Sequence, residues 1–150
     1  MKLRILVGSG DRIMGLTLPF IVIGVVANIL WPSVFRLGFA TGGLIAALVL
    51  LVIGVPVWLW SVALILIRVP KKKLITDGPF AVVAHPLYTS VALLVFPGIS
   101  LLLDTWVGIA VGVVLYVSSR IFSPAEDRIL AKIFPEEYPA WRKRLLVPWL

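Results

Sequence analysis

Four stretches without a single Asp, Glu, Lys or Arg constrain this chain more than anything else in it: residues 13–30, 43–67, 87–103 and 105–119. A hydrocarbon layer about 30 Å thick takes roughly 20 apolar residues per helix. Only a helix or a closed barrel satisfies its own backbone amides where no water can. The first two stretches are long enough to cross unaided. The last two are short and read as one tight helical hairpin, which needs flanking residues or local bilayer thinning to span. With 61% of the 150 residues hydrophobic and 14% charged, a water-soluble core could not hide the apolar surface. The expected fold is all-α: a single membrane domain over residues 1–150, a polytopic bundle with spans near 13–30, 43–67, 87–103 and 105–122.

Basic residues near helix ends are retained in the cytoplasm. Lys2, Arg4 and Arg12 precede the first span, Arg68, Lys71, Lys72 and Lys73 lie between the second and third, and Arg120, Arg128, Lys132, Arg142, Lys143 and Arg144 follow the fourth. Only Arg36 falls in a loop assigned to the outside. Both termini and the segments 68–86 and 123–150 are therefore expected in the cytoplasm. The net charge of +7 follows from this topology and from attraction to anionic headgroups, and no nucleic-acid motif accompanies it. Membrane lipids, not nucleic acid, are the expected partners.

The absence of cysteine excludes disulfides, thiolate metal sites and a cysteine nucleophile, and no metal is expected. The first apolar run begins only at residue 13 and lacks a small-residue cleavage pattern, so it is expected to stay as a helix. No Asp, Glu, Lys, Arg or His lies inside any of the four uncharged stretches, which counts against a transporter or channel component. The first half of the chain is lipid-facing in character. Pro56 is expected to kink the second span, and Trp31, Trp58 and Trp60 fit interface or packing positions.

Two polar, proline-punctuated segments carry the chemistry. In the first, Asp77-Gly78-Pro79 signals a turn, and His85-Pro86-Leu87-Tyr88 places the only histidine at the entrance of the third span, with Pro86 suited to the first helical position. A lone histidine there is equally explained as a hydrogen-bonded interfacial residue. In the second, Ser123 as N-cap, Pro124 at the first position and Glu126 three residues on from the cap form a capping box, with Asp127 adding charge at the helix start. Ile129, Leu130, Ile133 and Phe134 then share one face of an amphipathic helix. A purely structural reading covers this segment too, with Glu126 capping and Trp141 anchoring.

Taken in order around a short hairpin, the two segments resemble the isoprenylcysteine carboxyl methyltransferase and phospholipid methyltransferase family of integral membrane enzymes. The matching pieces are Gly78-Pro79-Phe80, His85-Pro86-Leu87-Tyr88, Glu126-Asp127-Arg128-Ile129-Leu130, and Phe134-Pro135-Glu136-Glu137-Tyr138-Pro139-Ala140-Trp141, within residues 74–149. The resemblance implies S-adenosylmethionine as methyl donor and a lipophilic acceptor entering from the bilayer: a prenylcysteine-like carboxylate, a phospholipid amine or a small lipophilic molecule. It also implies a donor site built from Gly78, Pro79, His85, Tyr88, Glu126, Asp127, Tyr138 and Trp141. Glu126 and Asp127 would pair with the donor's ammonium, His85 and Tyr88 would meet its polar part, the backbone at Gly78 would admit it closely, and Tyr138 and Trp141 would close over the adenine. Methyl transfer asks for alignment and not a covalent nucleophile, in keeping with the lack of a triad. Two arginines usual in the signature are Ala81 and Ala84 here, and Pro135 replaces a glycine. Arg120 or Arg128 are candidates to substitute for them, and a non-enzymatic family member that binds a membrane or partner is the alternative.

Overall fold

The computed structural model describes residues 9–39, 41–148 and 150; Lys2 and Arg4, counted above among the flanking basic residues, lie outside them. Prolines set most helix boundaries. α1 (Gly10–Leu30) stops at Trp31 because Pro32, which opens the short α2 (Pro32–Phe35), disfavours helical backbone in the residue before it. α3 (Thr41–Arg68) ends just ahead of Pro70. A 3-10 turn (Gly78–Ala81) carries Pro79, and α4 (Pro86–Ser90) starts on Pro86, where a missing N–H costs nothing. A π-helical turn (Val91–Val95) leads into α5 (Phe96–Leu102). α6 (Val107–Ile133) ends at Phe134 in front of Pro135, and α7 (Glu137–Arg144) follows.

α1 packs on α6, α3 packs along the α4–α5 arm, and that arm packs on α6. Three helices, α1, α3 and α6, are long and apolar enough to cross a membrane, and the arm over residues 86–102 is a shorter apolar helix. Among the described residues there is no strand, only isolated bridges between Arg36 and Thr105 and between Val83 and Val147. The all-α polytopic bundle read from the sequence is thus the observed fold. Three buried hydroxyls are satisfied within their own helices: Thr17, Ser61 and Ser118 each donate to the carbonyl four residues earlier at 2.7 Å.

Small residues bring the short arm against its neighbours. A Cβ on Gly108 would stand 2.6 Å from the Phe96 carbonyl oxygen, and one on Gly54 2.6 Å from the Leu94 Cβ, so both approaches require glycine. Pro97 cannot bond the carbonyl of Leu93, and the widened turn lies directly ahead of it. The loop joining α5 to α6 is held by Ser100 Oγ, which accepts from Ile109 N at 2.8 Å, and by Thr105 Oγ1, which donates to Asn28 Oδ1 at 2.8 Å. At the same end Arg36 Nε donates to Asp104 Oδ2 at 2.7 Å, while Gly38 N and Phe39 N donate to its other oxygen. The Arg36 hydrogen bond is the main reason the Asp104 carboxyl sits below the usual carboxylate range.

One local expectation is overturned. Ser123-Pro124-Ala125-Glu126 does not start a new helix; α6 runs through Pro124 to Ile133. A capping box needs a non-helical cap residue, yet Ser118, Ser119 and Ser123 are all buried on the packed face of α6. That packing carries the helix through the single backbone bond the proline loses. Pro56 likewise sits inside a continuous α3.

Candidate functional site

At the end of the bundle opposite Asp104, a cavity of about 470 Å³ opens between the last turns of α3, the loop that follows, the start of α4, the far half of α6 and α7. His85 is the residue before Pro86, with non-helical backbone (φ −127°, ψ 63°) that turns its ring toward α6. Its Nε2 lies 3.1 Å from Asp127 Oδ1. Asp127 Oδ2 is also 3.6 Å from Arg142 Nη1 on α7. Burial pushes the Asp127 carboxyl up, but the His85 hydrogen bond and charge, with smaller help from Tyr138 and Arg142, outweigh it and hold the group below its ordinary range. An ionised Asp127 fixes the hydrogen of a neutral His85 on Nε2 and leaves Nδ1 as an acceptor.

In the residue before Asp127, Glu126 Oε2 accepts from Ser9 Oγ at 2.8 Å and from Ser9 N at 3.3 Å. The carboxylate thus closes onto the start of α1 instead of capping its own helix. Trp141 Nε1 donates to the Phe80 carbonyl at 2.8 Å, tying α7 to the 3-10 turn. Val147 N, donating to the Val82 carbonyl at 2.9 Å, adds a second tie.

The cavity wall carries five of the eight residues singled out from the sequence: His85, Tyr88, Glu126, Asp127 and Trp141. The other three lie off it. Gly78 has left-handed backbone (φ +59°) and packs on Trp60, whose Cε2 would be 3.0 Å from an added Cβ, so its freedom serves the turn and not a ligand. Pro79 is buried beneath that turn. Tyr138 is buried with Ala84, Trp141 and Leu145, its ring 5.3 Å from that of Trp141. Its hydroxyl neighbours Asp127 without reaching hydrogen-bond geometry, and burial first, then that carboxylate, push its pKa above the usual tyrosine range.

Sequence reasoning misses Lys72 and Lys73 as site residues; both line the cavity, although topology alone accounts for their charge. Leu130, Ile133 and Phe134, which the sequence assigns to a face laid against membrane or bundle, form much of its apolar floor, while Ile129 of the same set points out and is 54% exposed. Ser9 carries no signal at all. Of the two arginines named as substitutes, Arg128 is exposed and bonds its own helix at the Pro124 carbonyl. Arg120 lines a separate, small cavity on the other side of the His85–Asp127 pair.

The fold and site together are those of a helical membrane bundle with a cavity at one end, two carboxylates and a histidine on its wall. Residues 37–137 match the family model for phospholipid methyltransferases, two-thirds of the chain, so the protein belongs to that family of membrane methyltransferases. The match reaches further back than the motifs do, taking in all of α3, and stops before Tyr138 and Trp141. No curated protein and no solved structure matches the chain.

Proposed function

We propose that this protein transfers a methyl group from S-adenosylmethionine to a lipophilic acceptor at the cytoplasmic face of a membrane. The observation that carries the reading is the charge layout of the larger cavity. Glu126 and Asp127 stand on α6, Lys72 and Lys73 come from the loop after α3, and Phe80, Phe134 and Trp141 supply ring surfaces. A donor with an ammonium, a carboxylate and an adenine offers complements to all three. The volume of about 470 Å³ is of the size that sites for such molecules have, in the range of roughly 300–1,000 Å³.

The fit assigns Glu126, with Asp127 beside it, to the ammonium through charge-assisted hydrogen bonds. Lys72 and Lys73 take the carboxylate, the role left open by Ala81 and Ala84. When bound, the donor supplies a methyl group on a sulfonium, for which the protein need only align an attacking lone pair. The apolar floor of Leu130, Ile133 and Phe134 excludes water and strengthens the surrounding charges. His85 Nδ1, its ring fixed through Nε2 by Asp127, can hold the proton that an amine acceptor gives up; a carboxylate acceptor gives up none.

Calorimetric titration of S-adenosylmethionine into the detergent-solubilised protein tests the reading. Saturable binding that falls at least tenfold in Glu126→Gln, with the melting temperature retained, is expected. No heat at millimolar donor would sink it. The bond between Ser9 and Glu126 favours one second reading, a non-enzymatic membrane or partner-binding protein in which the carboxylate serves only to fasten α1. In that case Glu126→Ala and His85→Ala change stability alone.

A further inference from the structure

The small cavity beyond the His85–Asp127 pair has the makings of a separate site. It measures about 80 Å³ and is lined by Thr89, Ser119, Arg120, Ser123 and Arg142, along with the pair itself. At about 10–15 Å³ for each water-sized group, it accommodates a phosphate or carboxylate and excludes a nucleoside. Ser119 spends its hydroxyl on the Tyr116 carbonyl at 2.7 Å, but two other donors are unspent. Ser123, 5% exposed, has a buried Oγ with no hydrogen-bond partner among the described residues, and so does the buried Nη1 of Arg142, whose nearest carboxylate oxygen is 3.6 Å away. Buried donors in a lipid-embedded protein are seldom left unpaired, since each unmade bond carries a desolvation cost. Two arginines and one aspartate supply its charged side chains, and Pro124 and Leu150 complete the wall.

Its position says what an anion there would be attached to. Arg120 is the first charged residue after the apolar stretch of α6, and it lies three and seven residues beyond Val117 and Val113 on one helix face. Val113 and Val117 are 58% and 48% exposed, an apolar stripe running down from Arg120 into the membrane. An acyl chain laid on this stripe brings its headgroup to the cavity.

We infer that the Arg120–Ser123–Arg142 cavity is the subsite for the single oxyanion of an amphiphilic methyl acceptor, a phosphate or carboxylate at the head of a hydrocarbon tail. The inference rests on the methyltransferase reading for the word acceptor, but not for the binding. The donor cavity and this one share His85 and Asp127 as a common wall, so an anion held here, itself not the methylated group, keeps the acceptor's separate nucleophile beside the donor.

The test titrates hexadecyl phosphate, palmitate and the uncharged control hexadecanol into the full chain in maltoside micelles, alongside S-adenosylmethionine. Wild type is expected to bind at least one of the two anions ten times or more tighter than hexadecanol. Arg120→Gln, a change at an exposed position, and Ser123→Ala should each remove most of that preference while donor affinity stays within twofold. Equal affinity for all three amphiphiles, or a preference that survives Arg120→Gln, overturns the subsite. If the anion preference is present and lost in Arg120→Gln while S-adenosylmethionine fails to bind, the subsite stands and the methyltransferase reading falls. Donor binding without any anion preference overturns the subsite and leaves the methyltransferase reading standing.

Discussion

Ala84 is 3% exposed and shares a cluster with Tyr138, Trp141 and Leu145, whereas Ala81, five residues before Pro86, is exposed beside Glu136 and Glu137. The two places where this chain lacks the arginines of the signature are therefore physically unlike. Ala84→Arg, far from restoring a function, would overpack the cluster and bury a charge, at a cost of about 3 kcal/mol. Ala81→Arg should be neutral within about 0.5 kcal/mol. Thermal melts in detergent separate the two. Ser9→Ala removes a donor to a carboxylate, and a loss of about 1.5 kcal/mol is expected. His85, Glu126 and Asp127 were legible in the sequence because polar residues beside a span stand out from an apolar background. Ser9 was not, since its bond to Glu126 joins residues 117 apart and a serine ahead of a helix reads only as a cap.

Among the elements, the short arm stands out in the sequence by its length, and a wide turn at Val91–Val95 interrupts its α-helix. Periodicity could not reveal that interruption, because a wide turn preserves the apolar character of every residue in it. The same blindness applies at Pro124, where a strong local start signal yields to tertiary packing along α6. The arm depends on close backbone approach, so Gly108→Val should destabilise by about 2–3 kcal/mol by pushing against the Phe96 carbonyl and Ser100 Oγ. Donor affinity should fall with it, because His85 and Asp127 sit on the two helices being separated. Both losses would be read from one set of melts with and without donor.

For the molecule as a whole, acid should act through Asp127. Its folded pKa lies below the ordinary carboxylate value of about 3.9, so its contribution to stability is complete above that value and disappears as pH falls through the lower folded one. Melting temperatures should hold from neutral pH to about 5 and drop below 4, and Asp127→Asn should flatten that part of the drop. Tyr138 works in reverse: its raised pKa makes its contribution full below about 10 and lost above, as pH rises through the folded value. Topology is open to a direct check, because the chain contains no cysteine to mask. Single replacements Thr76→Cys and Lys143→Cys should react with an impermeant maleimide from one side of the membrane, and Leu37→Cys from the other.

The contact between Ser9 and Glu126 also has a bearing on how the protein is made. A ribosome delivers α1 to the membrane long before α6 exists, and the cavity takes its walls from Ile65 through Trp141. No partial chain that stops short of Trp141 can hold the complete site, and α1 must wait in lipid for α6, the helix it packs on, to be inserted. Assembly of the pocket is therefore coupled to synthesis through Trp141, and a premature stop anywhere before that residue yields a membrane peptide without a complete site.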